Sequence, residues 1–265
     1  MPETKVFQER QRLRANTSNV TGTFIAEGKI VLKKKWLLLC YLILLMAGMN
    51  FMSHGSQDLY PTLLKNTFEF NANQVTVTQV VANLGAIAGG TVVGFYSQVF
   101  GRRLSILATI IVGAAVLYPY CFTNSLSVMA PAFFLQFCVQ GAWGVIPIHV
   151  MELSPPSYST FIAGTSYQLG NLISSTASTI EAHLGELYPL PPTPSGQTRY
   201  EYGKVIVVLM AIVFAYLFVL VVLGPEKRGQ EFDAAHDNDL AELRNPRLFD
   251  QSVVEKSPVA AKSVV

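Results

Sequence analysis

Charge is what this sequence has least of, and the shortage is concentrated in one place. Only 14% of its 265 residues are charged and 51% are hydrophobic, where an ordinary soluble domain carries roughly 25% charge. Residues 36–224 hold five basic and six acidic side chains, whereas residues 1–35 hold eight Lys/Arg and three acids, and residues 225–265 hold six and eight. So uncharged a middle excludes a water-facing globule. It predicts an all-α membrane domain over 36–224, between a basic cytoplasmic segment (1–35) and an acidic, disordered cytoplasmic tail (225–265).

Other absences narrow the function further. A net charge of +2 and no Lys/Arg block interleaved with aromatics argue against nucleic-acid binding. The basic run "KIVLKKKW" directly precedes an apolar span and is expected to flank a lipid bilayer on its cytoplasmic side. Cys40, Cys121 and Cys138 stand singly in apolar runs without metal-ligand spacing, so they are expected as small core residues and no metal or cofactor is predicted. No cleavable signal peptide is expected in a first 35 residues so polar. Asn16 and Asn19 fit the glycosylation pattern but fall on the side expected to be cytosolic.

What is present is apolar length. Six segments, at approximately 36–63, 75–97, 104–122, 128–149, 158–183 and 204–224, each come near the roughly 20 residues a helix needs to cross a bilayer. Lipid offers a backbone no hydrogen-bond partner, so each is predicted helical. Lys33–Lys35, Arg102/Arg103 and Lys227/Arg228 are separated by even numbers of crossings, which predicts both termini on the cytoplasmic side. The second segment carries Gly85-x-x-x-Gly89 and Gly90-x-x-x-Gly94, a spacing that lets helix backbones approach closely.

The first segment ends in "NFMSHGSQDLYPT", Asn50–Thr62, where polarity returns abruptly. At about 100° per residue, Asn50, Ser53, His54, Gln57 and Asp58 share an arc of about 140°. Ionisable groups in a membrane are costly and face a bundle interior or aqueous cavity, so the stripe is expected to line a solute path. His54 and Asp58 are i,i+4 neighbours able to share a hydrogen bond. Histidine changes charge near neutral pH, which makes this pair the expected proton carrier, while Asn50 and Gln57 can donate to a carboxylate without adding charge. Asp58–Thr62 can also be the wet end of the helix, with Pro61 loosening its last turn. An enzyme is not expected: Ser53 and His54 are adjacent, and such side chains on a helix do not face one another.

That stretch closely resembles the signature N-x-x-[ST]-H-x-[ST]-Q-D-x-x-x-T of the fungal Jen-type monocarboxylate/proton symporters of the major facilitator superfamily. Asn50, Ser53, His54, Ser56, Gln57, Asp58 and Thr62 fill every fixed position. "GFYSQVFGRRLSI" resembles the superfamily's loop motif G-x-x-x-D-R-x-G-R-R, keeping Gly94, Gly101, Arg102 and Arg103, with Gln98 and Val99 where Asp and Arg are usual. "GPEKRGQEF" resembles the tail after a last helix, and "ELSPPSYSTFIAGTSYQLGNLISS" the tenth-to-eleventh helix region. There the resemblance implies a substrate-binding role for Asn171, with Gln168 one turn earlier, and Ser159 stands where an arginine is common.

The resemblance implies a plasma-membrane, multi-pass protein carrying lactate, pyruvate or acetate together with a proton. Its six helices would equal the second half of a twelve-helix transporter, so the chain is expected to be a fragment, a truncated product or one half of an assembly. A complementary six-helix half, or a homodimer, would complete the cavity. Two alternatives stand beside this: a non-transporting membrane protein that partners or regulates a full-length relative, and a superfamily member for sugar or sialic acid. Against the sugar reading, the stripe itself carries no aromatics.

Overall fold

The computed structural model describes Lys29 and residues 33–225, except 155–157, 193–195 and 197. The expected disordered tail, Lys227/Arg228, both glycosylation sequons and nearly all of the 1–35 segment lie outside the described residues. Seven helices account for most of the rest: α1 (Trp36–Gln57), α2 (Ala72–Phe100), α3 (Arg102–Phe122), α4 (Met129–Leu153), α5 (Ser159–Ser174), α6 (Ala177–Gly185) and α7 (Tyr202–Leu223). A two-residue antiparallel ladder, β1 (Pro189–Leu190) with β2 (Arg199–Tyr200), links α6 to α7.

Among the described residues, five helical stretches are long and apolar enough to cross a membrane: Trp36–Thr67, Ala72–Phe100, Arg102–Phe122, Leu126–Leu153 and Tyr202–Leu223. The remaining expected span, 158–183, is not one helix but two, α5 and α6, divided at Ser175 and Thr176. The cause is local. Ser174, Ser175 and Thr176 turn their hydroxyls back onto the carbonyls of Asn171, Leu172 and Ile173 at 3.1, 2.8 and 3.1 Å. Such back-bonding competes with the helix ladder and bends it. Both residues at the division keep negative, helix-like φ, −58° and −79°. Five of the six expected segments are thus spanning-length helices, and the sixth is divided into two shorter ones.

Helix ends follow their sequence. Asn71 and Gln74 form a reciprocal capping box, each side chain accepting from the other's backbone N–H at 2.9 Å, and start α2 three residues before the expected position. Pro61 has no N–H to offer the Gln57 carbonyl, and the first stretch breaks after Gln57 before resuming at Tyr60 and continuing as a π-helical turn, Leu63–Thr67. Gly101 joins α2 to α3 at φ 98°, in the region that favours glycine.

The glycine-spaced face of α2 packs on α4 as its spacing predicts. A side-chain carbon on Gly85 or Gly89 would overlap the carbonyls of Phe133 and Phe137, and one on Gly144 would overlap Gly90. Here the backbones nearly touch, which without a hydrophobic driving force in lipid is how helices gain attraction. Leu45, Met49, Leu135, Val139, Ile146, Ile206, Met210 and Leu217 fill the centre, while Ile87, Phe95, Ile111, Phe134, Leu172 and Ile212 stay exposed. Apolar side chains inside and outside alike are the pattern of a bundle whose surroundings are lipid. The chain is an all-α membrane protein.

Candidate functional site

One end of the bundle is tied by arginine. Arg102 donates from Nε and Nη2 to the Glu152 carboxylate, at 3.0 Å for Nη2 to Oε1, and from Nη1 to Ser97 Oγ at 2.7 Å. Arg103 reaches α7 and donates to the Val221 and Val222 carbonyls, which the helix end leaves unpaired. The motif glycines and arginines thus join the ends of α2, α3, α4 and α7. Glu152, absent from the sequence prediction, gives Arg102 a carboxylate partner although Gln98 replaces the usual Asp.

The polar stripe on α1 lies further along, and its residues have different fates. His54 is the hub. Its Nδ1 lies 3.0 Å from Asp58 Oδ2 and its Nε2 lies 3.1 Å from Asn171 Oδ1 on α5, 117 positions away. The His54 and Asp58 side chains are 32% and 38% exposed, open to one flank of the bundle. As oriented, both ring nitrogens face acceptors, which a doubly protonated ring satisfies. A half-turn of the Asn171 amide would instead present Nδ2 as a donor to a neutral ring. Protonation of His54 and orientation of Asn171 are in this way linked.

Gln57 donates to Gln136 Oε1 on α4 at 2.9 Å. Gln136 in turn donates to Ser56 Oγ at 3.4 Å. Ser53 Oγ accepts from Trp143 Nε1 at 2.6 Å, so it is engaged away from His54 and forms no nucleophile–base pair with it. Asn50 is buried and donates to its own helix at the Met46 carbonyl, 2.9 Å. Gln168 is exposed, one turn before Asn171 on α5. The structure therefore brings His54, Asp58 and Asn171 into one connected group and Gln57 into another, with Asn50 turned aside.

Sequence reasoning missed Gln136, Trp143, Tyr120, Glu152 and Glu181. Tyr120 on α3 donates to the Ser56 carbonyl and stacks on Tyr60, ring centroids 3.9 Å apart. Glu181 on α6 is fully buried, and neither of its oxygens has a hydrogen-bond partner. A lone acid in the apolar run "LISSTASTIEAHL" was a visible signal by the rule that ionisable residues in membranes are functional by default. The argument from missing aromatics also changes. Trp143 bonds the stripe directly and meets Tyr167 edge-on at 6.0 Å, so α4 and α5 supply rings that α1 lacks. The groove walled by Tyr96, Phe100, Val112 and Phe134 is apolar and lies elsewhere, between α2, α3 and α4.

A multi-pass helical bundle that brings an imidazole, amides and a carboxylate together along one flank has the architecture of a membrane transporter. The chain belongs to the sugar (and other) transporter family, which it matches over residues 4–237. It is 42% identical over 239 residues to a carboxylic acid transporter protein homologue of Saccharomyces cerevisiae, a match covering 88% of this chain. The same match covers 39% of that relative's length.

Proposed function

We propose that the chain forms the second six-helix half of a plasma-membrane transporter that moves short-chain monocarboxylates of the lactate, pyruvate and acetate class together with a proton. The observation that carries this is the relay Asp58–His54–Asn171, which links a titratable pair on α1 to an amide on α5. An incoming carboxylate would accept from His54 Nε2 in place of Asn171 Oδ1. The released amide then turns its Nδ2 toward the same anion. Substrate and proton are thereby held by one histidine, which is the requirement for coupling them. Gln57 and Gln168 supply further amides around that position, and Asn50 fixes the helix beneath it. The sequence-level resemblance and the carboxylic acid transporter homologue both point to this substrate class.

Transporters of this architecture hold substrate between two halves, so the proposal includes a complementary six-helix half, or a second copy, facing the His54 flank. Both termini are placed on the cytosolic side. The test is uptake of labelled lactate against external pH in transporter-null cells making this chain with a complementary half. Saturable, acid-stimulated uptake that is lost in His54→Ala is expected; uptake indifferent to that substitution overturns the proposal.

Trp143 and Tyr167 favour one competing reading, a sugar stacked on their rings. Competition distinguishes the two. Excess pyruvate should abolish lactate uptake and excess hexose should leave it unchanged. Co-purification with a full-length relative, without any uptake, would favour a partnering role instead.

A further inference from the structure

Of the six acidic side chains between residues 36 and 224, Glu181 is fully buried and makes no hydrogen bond. Its setting is not a salt-bridge socket. A side-chain carbon built on Gly55 of α1 would stand 3.5 Å from Glu181 Oε1, and 3.2 and 3.3 Å from Met210 and Leu209 of α7. The carboxyl therefore lies over the gap left by Gly55, between His54 and Ser56, closed above by two apolar side chains. The titratable groups around it are these. From α1 come Asp58, whose charge Glu181 feels, and its partner His54. From α3 come Tyr120 and Cys121, which also interact with it. From α7 come Tyr202, packed against Gly185, and Lys204, which is paired with Glu201 at 3.2 Å. On α6 itself His183 faces outward, 3.8 Å from Glu186, with its side chain 82% exposed.

None of these places a cation against Glu181. An ionised carboxylate left without a hydrogen bond or counter-charge in an apolar interior costs far more than holding a proton does. Evolutionary cheapness would favour leucine or methionine at such a place, because a neutral acid contributes nothing to packing that they lack.

Resting on the monocarboxylate/proton reading above, we propose that Glu181 is a second proton-holding site, protonated at rest, packed against α1 at Gly55 beside the His54–Asp58 pair. Gly55 is what lets the carboxyl and the α7 side chains pack so close to α1, since a side-chain carbon there would crowd Met210 and Leu209 and touch Glu181 Oε1.

Infrared spectroscopy of the full chain in lipid nanodiscs tests this without requiring transport. At neutral pH the protein should show the carbonyl stretch of a protonated carboxylic acid that shifts on incorporation of 13C-carboxyl glutamate. Glu181→Gln should remove that band, and Asp58→Asn should displace it, because the neighbouring charge has gone. Should Glu181→Gln fail to fold, Glu181→Asp moves the isotope sensitivity from glutamate to aspartate and serves the same purpose. A spectrum without a glutamate acid band at neutral pH overturns the proposal, and so does a band that Asp58→Asn leaves unmoved. In the assembled transporter, Glu181→Gln should keep saturable lactate uptake but lose at least tenfold of its acid stimulation; an unchanged pH profile overturns the coupling role. If the parental assembly carries no monocarboxylate while the infrared results hold, the transport reading fails and the proton site stands.

Discussion

Arg102 and Glu152 form a nearly buried ion pair at 3.0 Å, with side chains only 10% and 8% exposed, between the first turn of α3 and the last turn of α4. Ser97 from the end of α2 completes the set, accepting from Arg102 Nη1 while it donates to the Gly94 carbonyl at 2.7 Å. Three helix ends are thereby fixed by one guanidinium, and planar, bidentate geometry is what arginine provides and lysine does not.

Removing one partner of such a pair leaves the other charge buried and uncompensated. Glu152→Gln should therefore destabilise the bundle by roughly 3–5 kcal/mol, on the scale of buried pairs in soluble proteins. Replacing both together, as Arg102→Met with Glu152→Met, should cost clearly less than the single change, since no orphan charge remains. Thermal unfolding in detergent, followed by circular dichroism, measures both. A double variant that loses as much as the two single variants summed would mean that the pair adds nothing beyond its separate side chains.

The glycine face of α2 gives a second contrast. Gly89→Ala places a methyl group against the Phe137 carbonyl, whereas Gly164 on α5 has open space around it. Gly89→Ala should lower stability by roughly 1–3 kcal/mol through overpacking. Gly164→Ala should be neutral or slightly stabilising, because alanine is the better helix former by about 1 kcal/mol. Melting temperatures of the two variants decide it, and similar behaviour at both positions would show that the α2–α4 approach is not the limiting contact.

Topology has its own test. If both termini are cytosolic, as proposed, a cysteine at Glu186, whose side chain is 61% exposed, should react with an impermeant maleimide on intact cells. One at the exposed Lys33 should react only after permeabilisation. Cys121 and Cys138 are buried as expected, but Cys40, also expected in the core, is exposed on the surface of α1, so it is replaced by serine before the test. Labelling of Lys33→Cys alone on intact cells would invert the whole arrangement.

Much of this architecture is visible in the sequence because its signals are local. Apolar length sets the helices, the Asn71–Gln74 spacing sets a cap, and His54 and Asp58 meet because i,i+4 neighbours must. The interruption at Ser174–Thr176 escapes hydropathy, which weighs how polar a residue is and ignores where its hydroxyl bonds. Partners across the bundle escape for a different reason. Gln136 for Gln57, Trp143 for Ser53 and Glu152 for Arg102 are set by how helices pack, and no spacing along the chain encodes them. Asn171 was found through a resemblance rather than by periodicity. Glu181 could have been flagged as a lone acid in an apolar run, but its isolation from every donor is a property of packing alone.

The last prediction concerns the relay itself in the assembled transporter, and separates proton coupling from substrate affinity. In the proposed mechanism Asp58 and His54 carry the proton, whereas Asn171 and Gln57 can only orient a carboxylate. Asp58→Asn should therefore flatten the pH dependence of lactate uptake with a modest change in apparent KM. Asn171→Ala and Gln57→Ala should do the opposite, raising apparent KM roughly tenfold to a hundredfold, the loss of one hydrogen bond to a charged carboxylate at about 1.5–3 kcal/mol, while the pH profile keeps its shape. His54→Ala belongs to both classes, because the ring bonds Asp58 through Nδ1 and Asn171 through Nε2. It should both flatten the profile and weaken affinity. Asn50→Ala, at a side chain spent on the Met46 carbonyl, should change affinity less than Asn171→Ala does. Uptake normalised to surface expression, across external pH and substrate concentration, provides the comparison. If Asp58→Asn and Asn171→Ala moved the same parameter by the same factor, histidine would not be joining two separate tasks, and the relay would be a structural brace.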